Sequence, residues 1–435
     1  MTARNLGEWL AYLEQLHPIA IDMGLERCRQ VFERLQLGTL APKVITVTGT
    51  NGKGSTCAFL ASLLAAQGLR VGVYSSPHLL RYNERVTLNG VEASDEQLCT
   101  AFEAVEAARG QVSLTYFEMG TLAAFWLFAN AQLDALVLEV GLGGRLDTVN
   151  LVDADLAVIT SIGIDHADWL GDTRESVGFE KAGILRPGRT ALCGDTQPPA
   201  TLINVAKGKG SPLLVRGQAF GLQVGQAHWS WHGQGVRGEP LALEGLPLLG
   251  LPMENAALAV QAFALLGLPW QPRVIAEALL HTRVVGRLDR RQLLWHGKSL
   301  RLLLDVGHNP HAAQYLSGRL TALAPPAKRH AVFGLLADKD LQGVLEPLLP
   351  SIAQWAVTPL PSPRSRSGEQ LQEALANLGA VATSHASVQA ALEHQCELAG
   401  QGDEILVFGS FFCVAEALCW LERHGLEVAA DGFAG

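Results

Sequence analysis

A β-branched run, Val44-Ile45-Thr46-Val47-Thr48, breaks into Gly49-Thr50-Asn51-Gly52-Lys53-Gly54-Ser55-Thr56, and residues of these types in this order can hold phosphate. Glycines let the backbone turn tightly enough to aim several N–H groups at phosphate oxygens, and a helix that starts here adds its positive N-terminal end. Lys53 then reaches the terminal phosphates. The spacing departs from the common G-x-x-x-x-G-K-[ST] form, because position 47 is Val and Lys53 is followed by Gly54 rather than by a hydroxyl. The alternative is a plain glycine turn with an incidental lysine.

Further polar groups recur after apolar runs. Ser75-Ser76-Pro77-His78 follows Arg70 to Tyr74, Glu139 interrupts the run from Leu133 to Leu142, and Asp165-His166 follows a run ending at Ile164. If each run is a strand, Lys53, Ser76, Glu139 and His166 come to strand ends, where open parallel sheets bind ligands. Glu139 sits among apolar residues, and a carboxylate taken out of water needs a partner. Mg²⁺ beside a phosphate loop is one candidate, since it takes few carboxylates and shares nucleotide oxygens. An ion pair with Arg145 is the other. Taken singly, His166 reads as a loop histidine and Ser76 as a helix cap; their shared placement favours a functional role. Cys57, beside the loop, is a candidate reactive thiol.

Those strand ends need an α/β scaffold, and the chain carries its signature: short apolar strands alternating with longer helical patterns, as in parallel sheets with crossover helices. The pattern predicts strands over 44–48, 70–74, 135–139 and 156–162, and helices over 57–67, 94–108 and 118–131. Between about Gly208 and Pro252, short pieces such as Ala227-His228-Trp229-Ser230-Trp231 predict a small antiparallel excursion. A helix is expected from Asn255 to Leu266, and the polar segment Val284 to Arg291 marks a domain boundary. Residues 1–284 are then a parallel-sheet ATP-binding domain with a phosphate loop. Residues 285–435 form a smaller Rossmann-like α/β domain. Its expected order is strand Leu300 to Leu304, the turn Asp305 to Pro310, a helix from His311, strand Ala331 to Leu335, and strand Glu404 to Phe408 before a closing helix.

A chain of 435 residues exceeds a single core. With 33 Lys and Arg against 42 Asp and Glu, its net charge of −9 argues against nucleic acid as a partner. No apolar run is long enough to span a membrane, and Met1 to Glu14 lacks the apolar stretch of a signal peptide, so the expectation is a cytoplasmic protein. Seven cysteines without C-x-x-C spacing indicate neither a disulfide framework nor a zinc site, and most are expected in the core.

Thr48 to Thr56, Ser75 to Leu79 with Glu84-Arg85, Leu114 to Glu118, Leu138 to Asp147, and Asp305 to Pro310 together resemble the bifunctional dihydrofolate synthase/folylpolyglutamate synthase family of the Mur ligase superfamily. The resemblance spans nearly the whole chain, including Trp9 to Leu37. It implies an ATP-dependent ligase, expected to be monomeric, that joins L-glutamate to dihydropteroate and to reduced folates through an acyl phosphate. It implies that Thr50, Asn51, Gly52, Lys53, Gly54 and Ser55 cradle ATP, with Asn255, Arg287 and Asp305 completing that site. Ser76, Glu139, His166 and Lys181 would hold two Mg²⁺, with Lys181 as an N-carbamate; Lys53, His166 and Lys181 would serve the reaction.

Thr115, Tyr116, Phe117, Glu118, Leu146, Asp147 and Thr148 would, by the same resemblance, meet the pterin substrate. On its own residues Lys181 reads as a helix lysine paired with Glu180 or Glu175. Ser75 to Gly90 reads as a long loop whose His78, Arg81, Tyr82 and Arg85 cover a flat aromatic acid, with Tyr116 and Phe117 as stacking surface; a solvated surface loop is the alternative. Val149 departs from the Asp-Ala-Thr-Asn-like pattern of the family and leaves the pocket shape open. The competing functions are a monofunctional folylpolyglutamate synthase, a Mur-type cell-wall ligase, and a noncatalytic nucleotide switch.

Overall fold

The computed structural model describes residues 4–322 and 326–424; residues 323–325 and the outer ends of the expected domains 1–284 and 285–435 lie outside the described residues. The chain divides into two compact units, Met1–Thr282 and Arg283–Gly435.

In the first unit the β-branched run becomes Val44–Thr48 (β1), buried along its whole length as expected of a strand covered on both faces. Around it lie Val71–Tyr74 (β2), Val86–Leu88 (β3), Val91–Glu92 (β4), Ala135–Glu139 (β5), Leu156–Ile159 (β6), Ala191–Cys193 (β7) and Leu213–Val215 (β8), in the order β4-β3-β2-β5-β1-β6-β7-β8. From β2 to β8 the pairing is parallel, and β3 and β4 add an antiparallel edge. Because β1 lies between β5 and β6, the chain leaves the sheet to opposite sides around the phosphate loop, which opens a crevice at the strand ends. Helix Tyr116–Ala129 is buried on nearly every side and anchors the core beneath β2 and β5.

Several boundaries differ from expectation for local reasons. The strand expected over 156–162 ends at Ile159, because the following residues turn to the phosphate loop: Thr50 N donates to Ser161 O at 2.9 Å, and Gly163 N donates to Thr50 Oγ1 at 2.9 Å. The helix expected over 118–131 starts at Tyr116, since Thr115 and Glu118 form a capping box. Ser75 to Gly90 is not one long loop. It holds a 3₁₀ turn at Tyr82–Arg85 and then β3. The antiparallel excursion starts later than Gly208, because β8 still belongs to the parallel sheet; it comprises Gly221–Val224 (β9), His228–Gln234 (β10) and Pro240–Pro247 (β11). The helix expected from Asn255 spans Met253–Ala264.

The second unit contains Asp289–Trp295 (β12), Lys298–Asp305 (β13), Arg329–Phe333 (β14), Gln354–Val357 (β15), Ala382–Ser384 (β16) and Glu404–Phe408 (β17), in the order β12-β13-β17-β14-β15-β16. All neighbours are parallel except β12, which pairs antiparallel with β13. β12 falls partly inside the segment read as a polar boundary. Its Asp289-Arg290-Arg291-Gln292 start hides a strand, and charge on an edge strand is what keeps such an edge from pairing further. β14 begins ahead of Ala331 because Arg329 and His330, both buried, are satisfied by Glu404 and Asp403.

Candidate active site

The phosphate loop is shaped by two glycines that no other residue replaces without strain. Gly49 has φ +153°, and a Cβ there would stand 1.8 Å from Thr160 Oγ1; Gly52 has φ +87°, and a Cβ there would meet Asn255 Oδ1 at 2.7 Å. Helix Lys53–Ala65 starts at once, so its N-terminus faces the loop. Lys53 Nζ donates to Gly49 O at 2.9 Å and Thr50 O at 3.4 Å, folding the ammonium back over the loop. Thr50 Oγ1 donates to Gly163 O at 2.8 Å, and Asn51 N donates to Ser161 Oγ at 3.0 Å. Asn255 Nδ2 donates to Ser55 Oγ at 2.7 Å. Asn255 therefore belongs to the first unit, on the first turn of its own helix.

Glu139 is the last residue of β5, 4% exposed, and its Oε2 accepts from Ser76 N at 3.4 Å; a Cβ on Gly54 would stand 3.7 Å from that oxygen. The carboxylate thus sits where the phosphate loop and the end of β2 converge. Its expected alternative partner is engaged elsewhere, since Arg145 pairs with Glu180 at 2.8 Å. Glu180, one expected partner of Lys181, gives its Oε1 to that contact and makes no ion pair with Lys181 among the described residues. The other, Glu175, accepts from Thr201 N at 2.8 Å and Ala200 N at 3.1 Å.

Lys181 is 2% exposed, and burial, reinforced by the charge of Lys53 and opposed by Asp165, lowers its pKa to about 7. His166 is exposed, in the left-handed region at φ +54°, where it precedes helix Ala167–Leu170. It follows β6 at a distance rather than ending the strand as expected. Cys57 does not fit the reactive reading: burial first, then the charge of Glu139, pushes its thiol well above the ordinary range.

Among the described residues no three His, Cys, Asp or Glu side chains converge. A cation held by one buried carboxylate and hydroxyls, and shared with substrate phosphates, is the binding habit of Mg²⁺, and the Ser76, Glu139 and phosphate-loop arrangement fits it.

Beside this lies an aromatic wall. Arg85, 9% exposed, has its guanidinium 5.3 Å from the Tyr82 ring and 5.6 Å from the Tyr116 ring, and its Nε donates to His78 Nδ1 at 2.8 Å. Burial and the Arg85 charge lower the His78 pKa to about 4, so His78 stays a neutral acceptor. Glu84 pins the turn by accepting from Leu79 N, Leu80 N and Arg81 N, each at 2.7 Å. The segment is therefore no solvated surface loop.

Phe117 packs 6.1 Å from Tyr74 and against Gly141, where a Cβ would meet its ring at 2.6 Å and Asp147 Oδ2 at 3.3 Å. Asp147 accepts from Leu142 N and Val149 N, both at 2.9 Å, yet burial raises its pKa to about 6. Thr148 Oγ1 lies 3.4 Å from Cys28 Sγ, and Leu146 is half-buried. Val149 is fully buried in the core, so its departure from the family pattern is met by packing. Thr115 and Glu118 are committed to each other: Glu118 N donates to Thr115 Oγ1 at 3.2 Å, and Thr115 N to Glu118 Oε2 at 2.7 Å.

In the second unit Asp305 accepts from Leu288 N at 2.9 Å and Gly307 N at 2.8 Å; burial raises its pKa while Arg287 draws it down. Arg287 lies 5.3 Å from the Phe411 ring. Sequence reasoning missed Thr160 and Ser161, whose hydroxyls donate to Asn51 O, and Arg27, which holds Glu118. A Thr-Ser pair directly after β6 is the one signal that could have found the first two.

The Mur ligase middle domain family matches residues 47–215, and the Mur ligase glutamate ligase domain family matches residues 286–411. The Escherichia coli (strain K12) dihydrofolate synthase/folylpolyglutamate synthase is 46% identical over 419 residues, covering 96% of this chain and 95% of its own. This chain belongs to the dihydrofolate synthase/folylpolyglutamate synthase family. Within that family, the structure of E. coli FolC in complex with DHPP and ADP superposes with a TM-score of 0.91 at 45% identity, covering 97% of this chain and 99% of that one. A bifunctional folylpolyglutamate synthase/dihydrofolate synthase with Mn, AMPPNP and L-glutamate bound does so with a TM-score of 0.87 at 44% identity, covering 96% and 98%. The α/β fold with a second α/β domain is that of the family. Among the described residues no helix is long and apolar enough to cross a membrane.

Proposed function

We propose that this chain is an ATP-dependent acid–amino-acid ligase that adds L-glutamate to dihydropteroate, giving dihydrofolate, and to reduced folates, giving polyglutamates. The observation that carries the reading is the juxtaposition of a phosphate loop, with Lys53 and the buried Glu139, beside an aromatic wall of Tyr116 and Phe117 backed by the buried Tyr82 and Arg85. One half suits a nucleotide and the other a flat aromatic acid.

A carboxylate oxygen of the acceptor attacks the γ-phosphorus of ATP, ADP leaves, and an acyl phosphate forms. The amine of glutamate then attacks the acyl carbon and expels inorganic phosphate, leaving the amide. The first step brings like charges together, at about 1 kcal/mol per unit pair at about 4 Å in water and about 4 kcal/mol at an effective dielectric of about 20. Lys53 and the backbone N–H groups of the first turn of its helix, Lys53 to Ser55, offset that repulsion. In this reading Ser76, Glu139, His166 and Lys181 would hold Mg²⁺, which would withdraw charge from the phosphoryl group.

Lys181 acts there as its carbamate. A buried lysine whose pKa is lowered to about 7 presents a free amine that can add to CO₂, and neither Glu180 nor Glu175 forms an ion pair with it among the described residues. Asn255, bonded to Ser55 of the loop, is assigned to ATP. Arg85, Tyr116, Phe117, Leu146, Asp147 and Thr148 are assigned to the pterin acid, with Thr115 and Glu118 shaping the same end of the helix. The assignment takes residues 1–284 as the ATP-binding domain and 285–435 as the smaller domain, in a monomer working in the cytoplasm, where its ATP and small acid substrates are found.

The test is ADP release over a panel of dihydropteroate, reduced folates and UDP-muramoyl acids, with glutamate present or absent. Glutamate-dependent release with the first two is expected. Release with reduced folate alone marks a monofunctional polyglutamate ligase, and release only with muramoyl acids overturns the reading.

A further inference from the structure

The segment between helices Leu6–Gln15 and Glu26–Leu35 is tied down by side chains that the proposed chemistry does not use. His17 Nδ1 lies 2.8 Å from Ser113 Oγ, and its Nε2 lies 3.2 Å from Asp22 Oδ2. Asp22 Oδ2 is 2.6 Å from Arg27 Nη1, while Arg27 Nη2 donates to Asp22 O at 3.1 Å and to Glu118 Oε1 at 2.9 Å. Glu118 is 3% exposed, and its second oxygen is the one that caps Thr115 N. One guanidinium therefore fastens the segment to the first turn of the helix that presents Tyr116 and Phe117. Next to Asp22 the segment also reaches the loop after β5, where a Cβ on Gly143 would stand 3.8 Å from Met23 Cε.

We propose that Arg27 is a positioning residue for the acceptor substrate: it locks segment 17–25 and the start of helix Tyr116–Ala129 into the arrangement that receives the pterin acid. The proposal rests on the acceptor reading given above. A planar fork suits this task, since it holds the Asp22 carboxylate, the Asp22 carbonyl and Glu118 at once, which a single ammonium does not. Without it, the buried Glu118 carboxylate loses its cationic partner, and the group that must then find another partner or a proton is the one that caps the helix. The disturbance falls on Tyr116 and Phe117, and the phosphate loop is untouched.

Steady-state kinetics and thermal melting of full-length Arg27→Ala, Arg27→Lys and Asp22→Asn test this. Arg27→Ala is expected to raise KM for dihydropteroate and reduced folate about tenfold while KM for ATP and kcat stay within about threefold, with Arg27→Lys restoring part of the loss. A folded Arg27→Ala with wild-type acceptor KM overturns the proposal, as does an equal loss in ATP and acceptor parameters that follows the fall in melting temperature. Should Arg27→Ala fail to fold, Asp22→Asn decides: a raised acceptor KM at constant ATP KM supports the latch, and an unchanged one overturns it. Wild-type protein that releases no ADP with either acceptor would overturn the acceptor reading and this proposal with it.

Discussion

The phosphate loop and the acceptor wall lie side by side at the ends of one sheet, yet they are built in different ways. The loop is made of backbone: Gly49 and Gly52 in conformations other residues resist, with Lys53 bonded to carbonyls within its own turn. The wall is made of side chains from separate stretches, with Arg85 against Tyr82 and Tyr116, Phe117 against Gly141 and Asp147, and Arg27 joining Asp22 to Glu118. A backbone device serves every acceptor equally because it sees only phosphate. A wall of side chains can be altered one residue at a time, and specificity therefore belongs there.

If this division holds, substitutions in the two regions separate kinetically. Lys53→Ala should lower kcat with dihydropteroate and with folate alike, by about a thousandfold, because it removes charge compensation at the transferring phosphoryl group. Its thermal melting should stay near that of the wild type. A loss confined to one acceptor would break the comparison.

Lys181 sharpens it from the metal side. Lys181→Ala should lose most activity and Lys181→Arg should not rescue it, since a guanidinium does not form a carbamate. A lysine of ordinary pKa is almost wholly protonated at neutral pH, whereas one lowered to about 7 is about half free amine there. Carbamate formation, followed as bicarbonate-dependent recovery of activity in protein freed of CO₂, should therefore rise with pH through about 7. Recovery that rises only near the ordinary lysine pKa would contradict the assignment.

On the acceptor side, Phe117→Ala should raise KM for dihydropteroate and for reduced folate about tenfold through lost stacking area, with KM for ATP unchanged. A parallel rise in KM for ATP would mean that the wall and the loop are one cooperative unit.

The same contrast explains what could be read from the chain. β1, β5 and β17 carry continuous apolar runs, and the glycine loop states its own chemistry locally, so their positions followed from pattern alone. The end of β6 did not, because Ser161 and Gly163 leave the strand for contacts with Thr50 that lie far apart in sequence. β12 was hidden by its charged start, which suits an edge. At the site, Glu139 was legible as a carboxylate in an apolar run. The capping box of Thr115 and Glu118 is a local T-x-x-E pattern that was open to reading, whereas the burial of Cys57 and the Arg27 latch depend on partners that no local pattern displays. Resemblance to a family supplied Lys181, which on its own residues read as a helix lysine; its burial is a property of the fold.

The central claim is that the two regions act on one carboxylate, the loop delivering a phosphoryl group to an acid held by the wall. Dihydropteroate carrying ¹⁸O in its carboxylate, turned over with ATP and glutamate, tests it directly by mass analysis of the released phosphate. Attack by the carboxylate on the γ-phosphorus followed by amine displacement transfers one labelled oxygen to each phosphate released. Phosphate without label, alongside amide product, would contradict the account.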